Sequence, residues 1–404
     1  MSLLNIETDE VPNLPLTRDV SKHLKRGHRW VFANCFDEKQ KFVDGLAILS
    51  FKKEALAIGI VQKDTQLKFR VLTLCDEPWF RKNSLTNTLR LWSQIQWQKL
   101  IDARKVFDLN KTNSFRLCNG EGDGMPGLII DIYNSVAVIK HDHPHMEKIW
   151  NHQNLVAQLR EAFPQLTCVY LKRKNKEEEK GVALWGALPA EVQFLENDLF
   201  FASNIRDAAK TGFFLDQRDN RQIIRQFAKD KKVLNLFSYT GGFSIYAAAG
   251  GAQHVTSVDI AKVAIEAVQR NFEINNLRTA HEDIAIDAFK FVETEIQKKS
   301  LYDLVITDPP SFAPNEKSVP QATAAYIKIF ADSLKLVKPQ GLFAASSCSS
   351  HIHHPAFLEI CKEAFSKARK KGTVLYIGGQ PSDHPFPLAM EELRYLKFIL
   401  FRVD

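Results

Sequence analysis

The chain has 404 residues, of which 45% are apolar and 25% charged, with a formal net charge of +7. That length suggests two or three domains, and the balance is that of a folded protein with a sizeable core, excluding disordered and fibrous classes. No apolar run approaches the roughly 20 residues a membrane helix needs, and the opening MSLLNIETDE is acidic rather than a basic-then-apolar leader. A cytoplasmic protein is expected.

Residues 1 to 15 read as a loose polar leader. RDVSKHLKRGHRW, Arg18 to Trp30, then gathers five basic residues, two histidines, one acid and an aromatic. The mild net charge permits a polyanionic partner without requiring one; this cluster is where such a partner would be met. GLAILSF, ALAIGIVQ and LKFRVLTL carry β-branched and aromatic residues between turn signals and predict the strands of a small β-barrel. Residues 84–107 place leucine, isoleucine and tryptophan at helical spacing. After the glycine-rich GEGDGMPG, GLIIDIYNSVAVIKH predicts a hairpin, MEKIWNHQNLVAQLREAFPQ an amphipathic helix and CVYLKRK a strand. In LKRKNKEEEK the acids Glu177 to Glu179 follow the bases at once, which reads as a solvated hairpin tip. This α+β block ends near Pro189.

From residue 190 strands alternate with helices. VLNLFSYTGGFSIYAAAGG, HVTSVDI, AKVAIEAVQRNFEINN, YDLVITDPPSF, ATAAYIKIFADSLKLVKPQ and GLFAASSCSS predict a doubly wound parallel sheet. Ligands of such sheets bind beyond the carboxyl ends of the strands, so residues there carry the functional reading. Asn235 to Gly242 (NLFSYTGG) is a glycine turn after a buried strand, where the backbone can approach a ligand closely and the next helix N-terminus points at it. A GxGxxG is absent. Asp259 ends the following strand and suits the two hydroxyls of a ribose; capping the helix that starts at Ile260 is the alternative. In Asp308-Pro-Pro-Ser-Phe312 two prolines cannot continue a central strand, so they fix a rigid loop whose carboxylate and carbonyls can accept from a nucleobase. Asp287 is a candidate for an adenine amino group, with Asp283 competing. Lys210 to Arg221 (KTGFFLDQRDNR) reads either as a strand entering a capped helix or as a cradle over a cofactor.

The six cysteines stand singly at 35, 75, 118, 168, 348 and 361, a spacing that fits neither a zinc site nor a disulfide framework. Five read as small buried hydrophobes. Cys348 ends a predicted strand within SSCSS, on the same sheet edge as Asp308. His351, His353 and His354 follow in HIHH, read as loop rather than as metal ligands.

In these blocks, taken in order, the sequence resembles the PUA-containing family of ribosomal RNA cytosine-C5 methyltransferases, whose close relatives act on large-subunit (23S) ribosomal RNA. TGFFLDQRDNR, VLNLFSYTGGFSIYAAAGGA, VTSVDI, TDPPSF, SSCSSH and the late Asp383–Pro385 and Tyr395–Lys397 look like the family's blocks, and NGEGDGMPGLIIDIY is similar to its middle-domain signature. The resemblance covers nearly the whole chain after residue 15. It implies an α/β protein: a PUA-like RNA-binding β-barrel at 1–78, a small α+β middle domain at 79–190, and a Rossmann-like methyltransferase domain at 191–404. S-adenosylmethionine would be held by Asn235, Phe237, Ser238, Tyr239, Thr240, Gly241, Gly242, Asp259, Asp287 and Asp308, with Phe214, Asp216, Gln217 and Arg218 from the cradle. Arg18, Lys22, Lys25, Arg26 and Arg29 would meet RNA phosphates. Dimerisation is common among similar proteins, and a homodimer is compatible with the sequence. Two departures stand out. Ser311 occupies the place after DPP where many members carry lysine, and GIVQKDTQLKFRVL replaces a barrel stretch usually richer in small polar residues.

Carbon 5 of cytosine is a poor nucleophile, so methylating it calls for prior addition of a thiolate to carbon 6. The resemblance gives that role to Cys348, with Asp308 as a plausible acceptor of the carbon-5 proton. Methylation of a purine nitrogen, which needs no nucleophile and which DPPSF also suits, is the rival activity. A catalytically inactive RNA-binding assembly protein is the rival outside enzymes; the intact Asn235–Gly242 turn, Asp259 and Asp308 speak against it.

Overall fold

A computed structural model of the chain describes residues 2–6, 10–78, 80, 84–173 and 180–404. The chain divides into two compact units, one of Met1–Val192, Ser203–Phe213 and Ser382–Glu391, the other of Gln193–Ala202, Phe214–Pro381 and Glu392–Asp404.

The first unit opens with β1 (Asn13–Pro15), α1 (Ser21–Lys25), β2 (Trp30–Phe32), β3 (Gly45–Phe51), β4 (Glu54–Val61) and β5 (Leu67–Leu74). The five strands form one sheet of order β1-β3-β4-β5-β2. Helix α2 (Leu85–Arg104) follows, capped by the Ser84 side chain, which accepts from the Asn87 amide. Then come β6 (Ser114–Asn119), β7 (Leu128–Tyr133), β8 (Val136–His141), α3 (Met146–Ile149), α4 (His152–Ala162), β9 (Cys168–Lys172) and β10 (Gly181–Gly186), with sheet order β10-β9-β8-β7-β6. One apolar core holds Ile58, Ile60 and Leu72 of the first sheet with Trp92, Trp150 and the inner faces of β6 to β9.

Two expectations fail in this unit. The first 15 residues are not a loose leader: Leu3 and Leu4 are 1% and 2% exposed in that core, and β1 pairs in parallel with β3. Short apolar pairs inside polar text carry no period and are missed for that reason. The expected helix over MEKIWNHQNLVAQLREAFPQ is two helices, because Asn151 takes an extended backbone and its side chain accepts from the Asn154 amide as a new cap. The acidic turn at Glu177 to Glu179 lies outside the described residues; β9 and β10, on either side of it, pair antiparallel.

The second unit starts with the two-stranded β11 (Val192–Glu196) and β12 (Leu199–Ser203), then α5 (Arg218–Phe227), β13 (Lys232–Leu236), α6 (Gly242–Ala249), β14 (His254–Asp259), α7 (Lys262–Ile274), β15 (Ala280–Ala285), α8 (Ala288–Gln297), β16 (Tyr302–Thr307), α9 (Val319–Lys335), β17 (Val337–Ser347), α10 (His354–Lys367), β18 (Gly372–Gly378) and β19 (Lys397–Val403). The seven-stranded sheet has order β15-β14-β13-β16-β17-β19-β18. Strands β13 to β17 are parallel, and strand order reverses between β13 and β16. That reversal opens a crevice at the carboxyl ends, where α/β sheets bind ligands.

The expected all-parallel sheet is corrected here to a mixed one. Strand β19 runs antiparallel to both β17 and β18. Strand β15 (AHEDIA) was also missed, since an edge strand with exposed polar residues shows no apolar alternation. Lys338 to Gln340, assigned to the end of α9, belong to β17. They form a bulge where the register jumps from Tyr302↔Val337 to Leu304↔Leu342, with Gln340 at φ 61°, the setting in which a strand tolerates Pro339. No helix among the described residues is long and apolar enough to cross a membrane.

Candidate active site

The carboxyl ends of β13, β14, β15, β16 and β17 bring most of the singled-out residues to one edge of the second unit. After β13 the chain turns sharply: Phe237 and Tyr239 sit at φ 59° and 48°, a region bulky side chains avoid, and Gly241 at φ 79°. A β-carbon on Gly241 would come within 2.8 Å of a Val268 methyl, so the turn packs too tightly against α7 for any other residue. Strain of this kind costs about 1–3 kcal/mol per residue and persists where surrounding structure enforces it. The Ser238 amide donates to Val258 O, and the Tyr239 amide to Asp259 Oδ2, both at 2.9 Å.

Polar atoms in this turn lack partners. Asn235 Oδ1, Ser238 Oγ and Thr240 Oγ1 are buried with no hydrogen bond among the described residues. Buried polar groups are seldom left so; here they line a turn shaped to admit a ligand. Asp259 serves the helix start, where Oδ1 accepts from the Ala261 amide at 2.9 Å, while Oδ2 holds the turn. Each oxygen keeps a further lone pair for a hydroxyl. Asp287 caps α8 by accepting from the Lys290 amide at 3.1 Å. Asp283 lies inside β15 opposite Ser257, 3.3 Å from His281, so Asp287 is the carboxylate nearer the strand-end edge.

The cradle splits between the units. Lys210 to Phe213 belong to the first and Phe214 onward to the second. Within the second, the Phe214 ring meets Tyr239 edge-on at 5.1 Å. Asp216 accepts from Tyr395 Oη at 2.7 Å. Gln217 Nε2 donates to both Asp308 Oδ2 (3.0 Å) and Ser346 Oγ (2.9 Å), tying the cradle to the ends of β16 and β17; Asn220 Nδ2 steadies it through Gln217 Oε1 at 2.6 Å. Arg218 is buried, 3.7 Å from Asp219, and acts electrostatically on Glu196. Arg221 fixes the start of α5 by a two-pronged bond to buried Glu196 (2.8 and 2.7 Å) and a third to Phe214 O.

Asp308 and Cys348 stand just past neighbouring strands, since Thr307 pairs with Ala345. Cys348 is partly exposed, whereas the other five cysteines are buried. Burial pushes the Cys75 thiol up to about 12 and the Cys168 thiol to about 11, so both stay protonated and inert. Around Cys348 the hydroxyls form a closed set. Ser347 Oγ donates to Tyr326 Oη (3.0 Å), Tyr326 Oη shares a hydrogen with Ser349 Oγ (2.9 Å), and Ser349 Oγ with Ser311 Oγ (3.1 Å). Ser311 thus links the two loops. Sequence reading missed Tyr326, which looked like a core position of α9, and gave no role to Lys397, which reaches Ser349 O at 2.6 Å. His351 and His353 are exposed and His354 opens α10; among the described residues no group of three metal-ligating side chains occurs.

In the first unit, Lys22 and Arg26 are exposed on and beside α1, and Lys25 reaches Asp76 at 3.5 Å. Arg18 is tethered to Asn34 Oδ1 at 2.9 Å, and Arg29 is only half-exposed, with burial lowering its guanidinium's proton affinity.

A family model described as S-adenosylmethionine-dependent methyltransferase matches residues 139–378. The chain is 31% identical to a ribosomal RNA large subunit methyltransferase of Deinococcus radiodurans, over 97% of each chain. It is 32% identical to ribosomal RNA large subunit methyltransferase I of Pseudoalteromonas translucida, over 95% of this chain and 97% of that one. A crystal structure of a putative methyltransferase complexed with SAH superposes with a TM-score of 0.84 at 28% identity, over 97% of this chain and all of the other. The unpartnered Asn235, Ser238 and Thr240 atoms and the tight Gly241 turn fit the cofactor of that family. The chain belongs to the S-adenosylmethionine-dependent methyltransferases, in the family of the ribosomal RNA large subunit enzymes, and its cofactor is S-adenosylmethionine.

Proposed function

We propose that the protein forms 5-methylcytosine in large-subunit ribosomal RNA through a covalent bond from Cys348 to the base. The observation that carries this reading is Cys348 itself: the one cysteine that is not buried stands just past β17, one strand from Asp308. S-adenosylmethionine supplies the methyl group as a sulfonium. Cys348 Sγ adds to carbon 6, and the electron pair of the 5,6 double bond moves through carbon 5 to take the methyl carbon. The bound cofactor would give up that carbon from its sulfonium sulfur, the bonding pair staying on sulfur as the neutral thioether. Asp308, oriented by Gln217, removes the carbon-5 proton; the double bond reforms and expels the thiolate. Asn235, Ser238, Thr240 and Asp259 hold the cofactor, Asp287 its adenine, and Phe214 with Tyr239 one wall. The target base is unstacked into this edge.

Residues 1–78 are read as the PUA-like RNA-binding domain, 79–190 as the middle domain and 191–404 as the methyltransferase domain of a cytoplasmic enzyme. Lys22, Lys25 and Arg26, exposed near α1, meet phosphates, with Arg18 and Arg29 contributing less freely. Nucleoside mass analysis of ribosomal RNA from a deletion strain, complemented with wild-type or Cys348→Ala chain, tests the reaction. Loss of one 5-methylcytosine, restored only by the wild type, is expected. Methylation surviving in Cys348→Ala, or a purine product, sinks the covalent reading.

A further inference from the structure

Lys397 opens β19 and lies opposite Ser347, the last residue of β17. Its side chain is buried, and Nζ donates to Ser349 O at 2.6 Å and Tyr395 O at 2.7 Å. The lysine therefore grips the residues on both sides of Cys348, one through the strand pairing and the other through its ammonium. No carboxylate forms an ion pair with Lys397 among the described residues, and a charge on the Cys348 sulfur is the one that would act on it. A buried ammonium bonded only to carbonyls still lacks a counter-charge; a thiolate beside it supplies one.

The groups around this pair reinforce the effect. Burial with Arg394 and Lys397 pushes His354, at the start of α10, down to about 4, so it is neutral at pH 7. His353 adds its own field to His354. Burial raises Tyr326 of α9, which keeps its proton. Arg394 and Lys397 are the cations of this surround, and the Asp308 carboxylate just past β16 is the anion that opposes them. Burial draws Lys397 itself down to about 8, while Cys348 pulls it back up.

We propose that Lys397 is the positioning residue of Cys348, holding its turn through Ser349 and keeping the thiol ionised at neutral pH. The catalytic use of that thiolate rests on the reading of Cys348 as nucleophile; the lysine–thiol coupling does not. The positive charge reaches the Cys348 turn from the neighbouring antiparallel strand, through the Ser347 pairing and the bond to Ser349 O.

The test is the pH dependence of iodoacetamide alkylation of the intact full-length protein, read at the Cys348 peptide by mass spectrometry. The other five cysteines are buried, so the folded chain reports Cys348. The wild-type inflection is expected about one unit or more below the ordinary thiol value of about 8.5. Lys397→Gln should move it up by about one unit, with about tenfold slower alkylation at pH 7. Lys397→Arg should retain the low inflection, and the acidic limb of methyl transfer should follow the same order. A wild-type inflection at or above about 8.5 overturns the proposal even if no variant folds. So does an unchanged inflection in a folded Lys397→Gln. Should Cys348→Ala still form 5-methylcytosine while Lys397→Gln shifts the inflection, the nucleophile reading falls and the coupling stands.

Discussion

Two strand-end turns of the second unit are built on opposite principles. The Asn235–Gly242 turn leaves buried oxygens without partners and holds two aromatic residues in left-handed backbone. The Ser346–Ser349 segment satisfies its hydroxyls internally, through Gln217, Tyr326 and Ser311. A turn that must close on a mobile cofactor stores unmet hydrogen bonds for it. On the proposed reading, the segment that aims the Cys348 sulfur is made rigid before any ligand arrives. The first is completed by binding, the second by folding.

The largest expected effect breaks the first turn. Gly241→Ala puts a β-carbon 2.8 Å from Val268 in left-handed backbone, and should weaken S-adenosylmethionine binding by about tenfold to a hundredfold. Calorimetry measures this, and Cys348 alkylation should not change; parallel loss of both would show that the two turns are one unit. Next, Ser349→Ala deprives Tyr326, Ser311 and the Ala313 amide of a shared partner. It should cost about 1–2 kcal/mol in urea unfolding with cofactor affinity unchanged. Ser238→Ala sharpens the contrast through the opposite sign. Removing an unpartnered hydroxyl should leave the cofactor-free protein as stable, or up to about 1 kcal/mol more stable, while cofactor binding weakens several-fold. If Ser238→Ala destabilises like Ser349→Ala, the distinction between the turns is wrong.

The smallest effect is in acid. His354 has a folded pKa of about 4, below its unfolded value of about 6.5, so the unfolded chain takes a proton first as pH falls. Its contribution is full above about pH 6.5 and lost progressively toward pH 4. The urea midpoint should fall between pH 7 and 5, and fall less in His354→Asn. Equal slopes would remove His354 from the account.

What was legible in the sequence followed from period and punctuation. The blocks ending at Leu236, Asp259 and Thr307 stand out because each apolar strand stops at or shortly before a glycine, acid or proline, and parallel strands carry those stops to one edge. That logic put forward Asp259 and Asp308 as candidates, whereas Cys348 took its role from the family resemblance. It failed for residues whose place depends on pairing between distant strands. Lys397 meets Ser349 only because β19 lies beside β17, an order no local pattern encodes. Tyr326 carries a helix-core spacing, and its hydroxyl gains meaning only from Ser347 and Ser349. Leu3 and Leu4 were lost because two residues have no period to read.

The reversed direction of β19 has an evolutionary consequence. Parallel strands deliver residues to the ligand edge from their last positions, so every change in the loop that follows threatens the side chain placed there. An antiparallel strand delivers its first residue to the same edge, locked by the ladder behind it. Insertions that leave Lys397 in register therefore belong at exposed positions of the preceding connection such as Leu388 and Glu391, since Asp383, His384 and Met390 are buried.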